Sequence, residues 1–126
     1  MAVPQTISLP IIPQGWYMSW NMYTQAAYNI CVTLKDSSTT YVNNVCRSNT
    51  AFGSLSSGFQ QVAGSNMTLT ITIAQSSGVQ VVSIPFQVPS TSGAIVGAGY
   101  NIAVEDAGDQ DFNDLSISIT AWKSRG

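Results

Sequence analysis

Apolar and polar residues alternate with a period of two along much of this 126-residue chain. The clearest example runs from Met67 to Ile73, where four apolar side chains are separated by threonines. This alternation predicts a β-strand with one buried and one solvated face, because successive side chains point to opposite sides of a sheet. No segment shows a sustained helical stripe, so the pattern predicts an all-β chain.

About nine segments of this kind follow one another, and together they predict a single-domain antiparallel β-sandwich spanning residues 1–126. The chain is long enough to form one hydrophobic core and too short for two ordinary domains. The predicted strands are Thr6–Leu9, Gly15–Trp20, Tyr28–Leu34, Tyr41–Cys46, Phe59–Val62, Met67–Ile73, Val79–Val88, Gly99–Val104 and Leu115–Trp122.

One predicted strand, 79–88, has an irregular pattern. Its apolar phase shifts between Val81 and Val82, and Pro85 has no N–H group to donate to a strand ladder. This segment is therefore predicted either to contain a bulge or to lie at the edge of a sheet.

The charge of the chain is low and slightly negative. Charged residues make up 8% of the sequence, and the formal net charge is −2. This charge argues against nucleic acid as a partner, because phosphate binding draws on clusters of Lys and Arg that are absent here. No apolar run reaches about 18 residues, which argues against membrane insertion. The first residues lack the basic region of a classical signal peptide, so we expect synthesis in the cytoplasm and leave export or surface association open.

Histidine is absent, which removes Ser-His-Asp and Cys-His catalysis and histidine-ligated zinc. Cys31 and Cys46 are the only cysteines. A hairpin turn centred on Ser38 and Thr39 sets Cys31 opposite Cys46. A disulfide and two buried free thiols both fit this arrangement.

Five of the six acidic residues lie in one stretch of ten residues, EDAGDQDFND. Carboxylates a few ångströms apart repel by about 1 kcal/mol per pair in water and by about 4 kcal/mol at the effective dielectric of a protein surface. No basic residue lies within the stretch, so a hard, oxygen-seeking cation is the simplest compensation. The five are Glu105, Asp106, Asp109, Asp111 and Asp114, whereas Asp36 stands alone far upstream.

The spacing of the acidic stretch is typical of a calcium loop held between two predicted strands. Asp109, Asp111 and Asn113 alternate like the first ligands of such a loop. An EF-hand is excluded, because Asp114 stands where that loop requires glycine and Thr120 where it requires the closing glutamate. The carboxylates exceed what one calcium ion usually takes from side chains, and two adjacent ions would use them all.

Residues 105–114 resemble, without a gap, the E-D-G-T-D-N-D-Y-N-D loop of the small calcium-dependent bacterial lectins of the LecB (PA-IIL-like) type, which bind fucose and mannose. Weaker similarity covers most of the chain, including Ser8-Leu9-Pro10, Trp20-Asn21, Trp122 and a terminal Gly126. In that family two calcium ions lie side by side, and hydroxyl groups of the sugar complete their coordination. The resemblance therefore implies a non-enzymatic carbohydrate-binding protein with two Ca²⁺ ions per chain.

The resemblance also implies the residues of the site. The implied metal ligands are Asn21 through its backbone oxygen, Glu105, Asp109, Asp111, Asn113, Asp114 and Gly126. The implied sugar contacts are Met22, Tyr23, Thr24, Asp106, Asp109, Asp111 and Asp114. The family's C-terminal glycine carboxylate completes a neighbour's calcium site, so the resemblance implies a homodimer or homotetramer. The residues after Asn21 are bulkier than those that tune sugar preference in the family, so the choice between fucose and mannose does not transfer.

Two other functions are alternatives to a lectin. In a structural or adhesive β-sandwich, calcium only stabilises a loop or a subunit interface, and the metal ligands are the same. A hydrolase would use two of the carboxylates as acid and base. The hydrolase is disfavoured because metal-bound carboxylates are poor proton donors and so short a chain has no insertion to form a cleft.

Overall fold

The fold consists of antiparallel strands. The computed structural model describes residues 4–76, 78–105 and 114–124, without the side chain of Asn49. All strand pairs in these ranges are antiparallel, which confirms the predicted fold class. None of these residues forms a helix that would be long and apolar enough to cross a bilayer. The strands within the described ranges are β1 Gln5–Ser8, β2 Tyr17–Lys35, β3 Thr40–Gln61, β4 Thr68–Ile73, β5 Gln80–Pro89, β6 Ile95–Glu105 and β7 Leu115–Trp122.

A long hairpin of β2 and β3 runs through both halves of the sandwich. Residues 17–24 of β2 pair with β7, whereas residues 30–35 pair with β4. The strand β3 accompanies β2 through both parts. One half therefore has the strand order β5-β6-β7-β2-β3, and the other has the order β1-β4-β2-β3.

The described residues form seven strands where about nine were predicted, because two long strands were each predicted as two. The predicted strands 15–20 and 28–34 both belong to β2, and 41–46 and 59–62 both belong to β3. The apolar pattern is interrupted within each long strand. From the sequence alone, this interruption predicts that one strand ends and another begins. In the structure the strands continue through register shifts between residues 22 and 30 of β2, because a bulge lets a strand pass an irregular position.

The strand β5 lies at an edge of the sheet, where it pairs with β6 among the described strands. Its register with β6 is continuous from Gln80 to Val88, so the edge alternative is confirmed and no bulge separates Val81 from Val82. An edge position tolerates the missing N–H group of Pro85.

The core is formed by the apolar side of each alternating strand. One cluster joins buried residues from both halves of the sandwich. Complete burial of a Leu or Ile side chain stabilises a fold by about 1.5–3 kcal/mol, so this cluster determines which face of each strand points inward. The fully buried members of the cluster include Leu9, Met22, Ile30, Val32, Leu34, Leu69, Ile71, Ile73, Val104, Leu115, Ile119 and Ala121.

Cys31 and Cys46 form a disulfide across the β2–β3 hairpin. They lie opposite each other in the ladder, which confirms the predicted pairing. The turn lies one position earlier than predicted, because Lys35 pairs with Thr40, and register shifts between Val32 and Lys35 restore the expected pairs. The structure therefore selects the disulfide over two free thiols.

Removal of the disulfide should destabilise the fold. The bond closes a loop with a sequence separation of 15, for which loop entropy predicts about 3 kcal/mol. We expect the C31A/C46A variant to lose about that free energy of unfolding in denaturant titrations. Dithiothreitol should have the same effect on the wild type and no effect on the variant. Equal unfolding midpoints of the wild type with and without reductant would contradict this prediction.

Asp36, the acidic residue outside the acidic stretch, organises the turn of the β2–β3 hairpin. Its Oδ1 accepts hydrogen bonds from the backbone N–H groups of Ser38 and Thr39, both at 2.8 Å, and its Oδ2 accepts one from Gly64 at 3.0 Å. The Tyr41 hydroxyl also donates to Oδ2. Burial raises the pKa of Asp36, but these hydrogen bonds outweigh it and the pKa is lowered. Burial and the bond to Asp36 raise the pKa of Tyr41 to about 12.

Replacement of Asp36 by alanine should lower the free energy of unfolding by about 2 kcal/mol, because four donors lose a charged acceptor. The folded pKa lies below the unfolded value of about 3.9, so the carboxylate stabilises the fold above that pH. This contribution is lost as the pH falls through the folded pKa. Denaturant titrations of wild type and D36A at neutral and acid pH measure the difference. A difference that stays constant down to about pH 2 would contradict the role of the charged form.

Candidate functional site

The acidic stretch begins and ends on neighbouring strands. Residues 97–104 of β6 and 115–122 of β7 pair in one unbroken register. Its last pair is Val104 with Leu115, and the next residue along each chain is acidic: Glu105, the last residue of β6, and Asp114, which precedes β7. Opposite residues of an antiparallel pair have Cβ atoms about 5 Å apart. The register thus brings the first and last acidic residues of the stretch together at the end of the β6–β7 ladder, and we call Glu105 and Asp114 the acidic rung.

The acidic rung is held by strands on both sides. The backbone carbonyl of Asp114 accepts a hydrogen bond from the N–H group of Gln25 at 3.2 Å, which extends the ladder between β2 and β7 by one step. On the other side, Glu105 pairs with Gln80 of β5. The two acidic residues are therefore positioned by regular backbone pairing.

Both carboxyl groups of the acidic rung are buried. Glu105 has 0% exposed surface and Asp114 has 8%. Strand alternation puts Glu105 on the same side of β6 as Ala103, and this side, which Ser116 of β7 shares, is turned away from the core. We call this side of β5, β6, β7 and β2 the outer face. Buried carboxylates require hydrogen bonds or a cation as compensation, and their oxygens are the donors that calcium prefers. The acidic rung therefore fits the predicted metal.

Several predicted site residues lie outside the part of the chain that the structure describes. In the described ranges, no group of three or more Asp, Glu, Cys or His residues comes together. The acidic rung is what these ranges contribute to the predicted calcium site. The predicted residues beyond them are Asp106, Asp109, Asp111, Asn113 and Gly126.

The predicted site residues of β2 lie at different distances from the acidic rung. Thr24 is next to it, and Tyr23 is one residue further along β2. Asn21 pairs with Ser118, which is four residues along β7 from Asp114, or roughly 13 Å at the rise of a strand. The register does not bring Asn21 to the acidic rung, although it was predicted as a metal ligand.

Met22 and Thr24 point into the core, and Tyr23 between them points to the outer face. Met22 was predicted to contact the sugar. In the structure its side chain has 0% exposed surface and belongs to the core. Thr24 is also buried, and its hydroxyl accepts a hydrogen bond from Arg47 Nη1 at 2.9 Å. The physical reason is that this segment continues β2 as a strand, so alternate residues face opposite sides.

A groove of about 380 Å³ lies on the outer face beside the acidic rung. Small side chains of β6 and β7 form its floor, and Tyr23 and apolar side chains of β5 form its sides. Asn21, Asn101 and Ser118 add polar groups, and the Ser118 hydroxyl donates to Asn101 Oδ1 at 3.1 Å. Its nearest floor residues are two positions, or roughly 7 Å, from the acidic rung. Two residues predicted for the site, Asn21 and Tyr23, therefore line one groove.

Phe52 is a neighbour of this groove that the sequence pattern does not indicate. Its ring stacks on that of Tyr23, with centroids 5.3 Å apart and an interplanar angle of 12°. Tyr23 pairs with Ser54, so Phe52 lies two residues away on the same side of β3. Phe52 is 67% exposed. The contact depends on the shifted register of β2 and β3, which no local motif reveals.

The strands and the acidic rung define a small all-β protein with a candidate metal site. The family model of fucose-binding lectin II (PA-IIL) matches residues 8–124, and the chain belongs to this family. The resemblance found in the sequence is thereby confirmed. As a member of this lectin family, the protein is a carbohydrate-binding protein and not an enzyme.

Solved structures similar to this chain are bacterial lectins of low sequence identity. The C-terminal domain of the BC2L-C lectin from Burkholderia cenocepacia has a TM-score of 0.67 and 14% identity, covering 97% of each chain. The Ralstonia solanacearum high-affinity mannose-binding lectin has a TM-score of 0.67 and 15% identity, covering 91% of this chain and 93% of the other. The Chromobacterium violaceum lectin CV2L, in complex with alpha-methyl-fucoside, has a TM-score of 0.63 and 16% identity, with the same coverage. These likenesses establish the fold.

A comparison with curated protein sequences finds no match to this chain.

Proposed function

We propose that this protein is a calcium-dependent lectin, a single domain that binds a monosaccharide such as fucose or mannose through two Ca²⁺ ions. The acidic rung is the observation that carries the proposal, because one strand register sets the ends of the acidic stretch side by side next to a groove. Membership of the fucose-binding lectin II family supports the class of sugar. Two similar solved lectins are described with mannose and with alpha-methyl-fucoside, respectively.

The residues of the stretch have two proposed roles. Glu105 and Asp114 supply carboxylate oxygens from the rigid end of the sheet. Bound calcium ions would supply positive charge and open coordination positions, which vicinal sugar hydroxyls fill in place of water. Asp106 is proposed to accept a hydrogen bond from a sugar hydroxyl. The remaining proposed metal ligands are Asp109, Asp111 and Asn113, and Asp109, Asp111 and Asp114 also approach the sugar.

A calorimetric titration tests the calcium and sugar sites together. We expect about two calcium ions per chain, and heat from fucose or mannose only when calcium is present. E105Q and D114N should each weaken calcium binding roughly tenfold or more, since fewer charged ligands lower calcium affinity. D36N is the matched control, because it neutralises the acidic residue outside the stretch and should leave the stoichiometry unchanged. Chelation should also lower the melting temperature, because calcium binds the folded chain.

Sugar binding that is unchanged in excess EDTA would contradict the proposed function. Calcium binding without any saturable signal on a glycan array would instead favour the structural or adhesive sandwich, in which calcium only stabilises a loop or a subunit interface.

We further propose a homodimer, or a homotetramer built from dimers, in which Gly126 reaches the metal site of a partner. The strand β7 carries the chain from Asp114 to Trp122 over eight residues, or roughly 26 Å. The four residues from Trp122 to Gly126 span at most about 14 Å. This difference in length supports the proposal that Gly126 would act as a metal ligand for a second chain.

Sedimentation or light scattering tests the assembly. We expect at least twice the mass of the 13.4-kDa chain, and a C-terminal extension beyond Gly126 should weaken calcium binding by displacing the carboxylate. The extended variant keeps every residue of the strands, so its melting temperature without calcium is the control. A monomer that binds calcium and sugar at full stoichiometry would contradict the dimer.

A further inference from the structure

We infer that Phe52 and Tyr23 form an aromatic platform that contacts the apolar side of the sugar ring bound beside the acidic rung. This inference rests on the proposed lectin function and assigns it a further residue, Phe52, on a different strand from the acidic stretch. Four features of the described residues support it: position, chemistry, rigidity and contrast with a second exposed phenylalanine.

The position of the pair matches the reach of a bound sugar. Tyr23 pairs with Ser116, which is two residues, or roughly 7 Å, from Asp114 along β7. Calcium holds its oxygen ligands at about 2.3–2.6 Å, so a sugar whose hydroxyls take part in coordination lies close to the carboxylates. A monosaccharide ring that extends from the acidic rung over the groove therefore comes to lie next to Tyr23 and its stacked partner.

The chemistry of the pair complements that of the acidic rung. Carboxylates and metal engage the hydroxyl groups of a sugar, whereas the C–H groups on the other side of a pyranose ring require an apolar partner. Aromatic rings provide a large apolar surface with few rotatable bonds, so their ordering costs little conformational entropy. Phe52 leaves 67% of its surface open to such a partner. Metal coordination and aromatic contact can therefore act on opposite sides of one neutral ligand.

Arg47 makes the segment around Phe52 rigid. Its Nη1 donates to the Ala51 carbonyl at 3.0 Å, and also to the Thr24 hydroxyl at 2.9 Å and the Thr24 carbonyl at 3.3 Å. The guanidinium group lies against the backbone of Gly53, where any Cβ atom would collide with it. These contacts attach the neighbours of Phe52 to β2 where the register is irregular. The platform is thus preorganised, which lowers the entropic cost of binding.

A second exposed phenylalanine, Phe59, lies far from the acidic rung. It lies on the same strand, β3, and is 86% exposed. It pairs with Ser19, which is six residues along β2 from Gln25, or roughly 20 Å from the acidic rung. The chain therefore offers a matched control, with the same residue type and strand but a different distance from the site.

Calorimetry in saturating calcium, with methyl α-fucoside and methyl α-mannoside as probes, tests the platform. F52A should weaken binding of the preferred sugar roughly five- to tenfold, as expected for loss of an aromatic contact. F52Y keeps the ring and should bind within about twofold of the wild type. F59A should bind like the wild type. Calcium affinity, calcium stoichiometry and oligomer mass should be the same in all variants.

The results can overturn the platform while the lectin function stands. Wild-type sugar affinity in F52A, or an equal loss in F59A, would do so. A parallel loss of calcium affinity in F52A would also contradict the platform, because it would show a structural role. A change in the oligomer mass of F52A would contradict it as well, because it would place Phe52 in a subunit interface. A wild-type protein that binds neither sugar in calcium would contradict the proposed function itself, and the platform with it.

Discussion

The antiparallel register of β6 on β7 is the constraint on which the rest of the site depends. A slip of one residue would turn Val104 and Leu115 away from the core and expose their apolar surface, so the buried faces hold the register in place. The same register brings Glu105 and Asp114 together just beyond its last pair, Val104 with Leu115. The free energy that stabilises the core therefore also brings two acidic residues together. Their mutual repulsion is small beside the burial of several Leu and Ile side chains.

The β2–β3 hairpin links this site to the other half of the sandwich. The disulfide and the Asp36 turn hold the register of the hairpin at its closed end. Arg47 holds the irregular middle, where β2 leaves its pairing with β4 and joins β7. Beyond this point Tyr23 and Phe52 stack on the outer face. The aromatic pair is thus fixed by backbone pairing and by side-chain bonds on both sides of the register shifts.

The sequence pattern correctly predicted the features that depend on residues close together in the chain. Alternation gave the fold class, and the density of carboxylates gave the acidic stretch, because both signals are contained in neighbouring residues. The sugar contact of Met22 was implied by the family resemblance, which does not specify the side of a strand, whereas pairing on both sides keeps β2 extended and turns Met22 into the core. Phe52 was missed for a related reason. Its contact with Tyr23 depends on a register set by distant partners, and no residue near Phe52 encodes that register.

The distribution of charge explains why a neutral ligand suits this protein. Five of six acidic residues lie in one stretch, and the formal net charge of the whole chain is −2. Two calcium ions in the proposed site would offset four of the five negative charges, so neither a strongly anionic nor a strongly cationic ligand would gain much from it. The groove beside the acidic rung is lined by amides, hydroxyls and apolar groups without a charged side chain. A sugar matches this surface because its hydroxyl groups replace the water of a metal ion and its C–H groups contact an aromatic ring, and neither interaction requires a ligand charge.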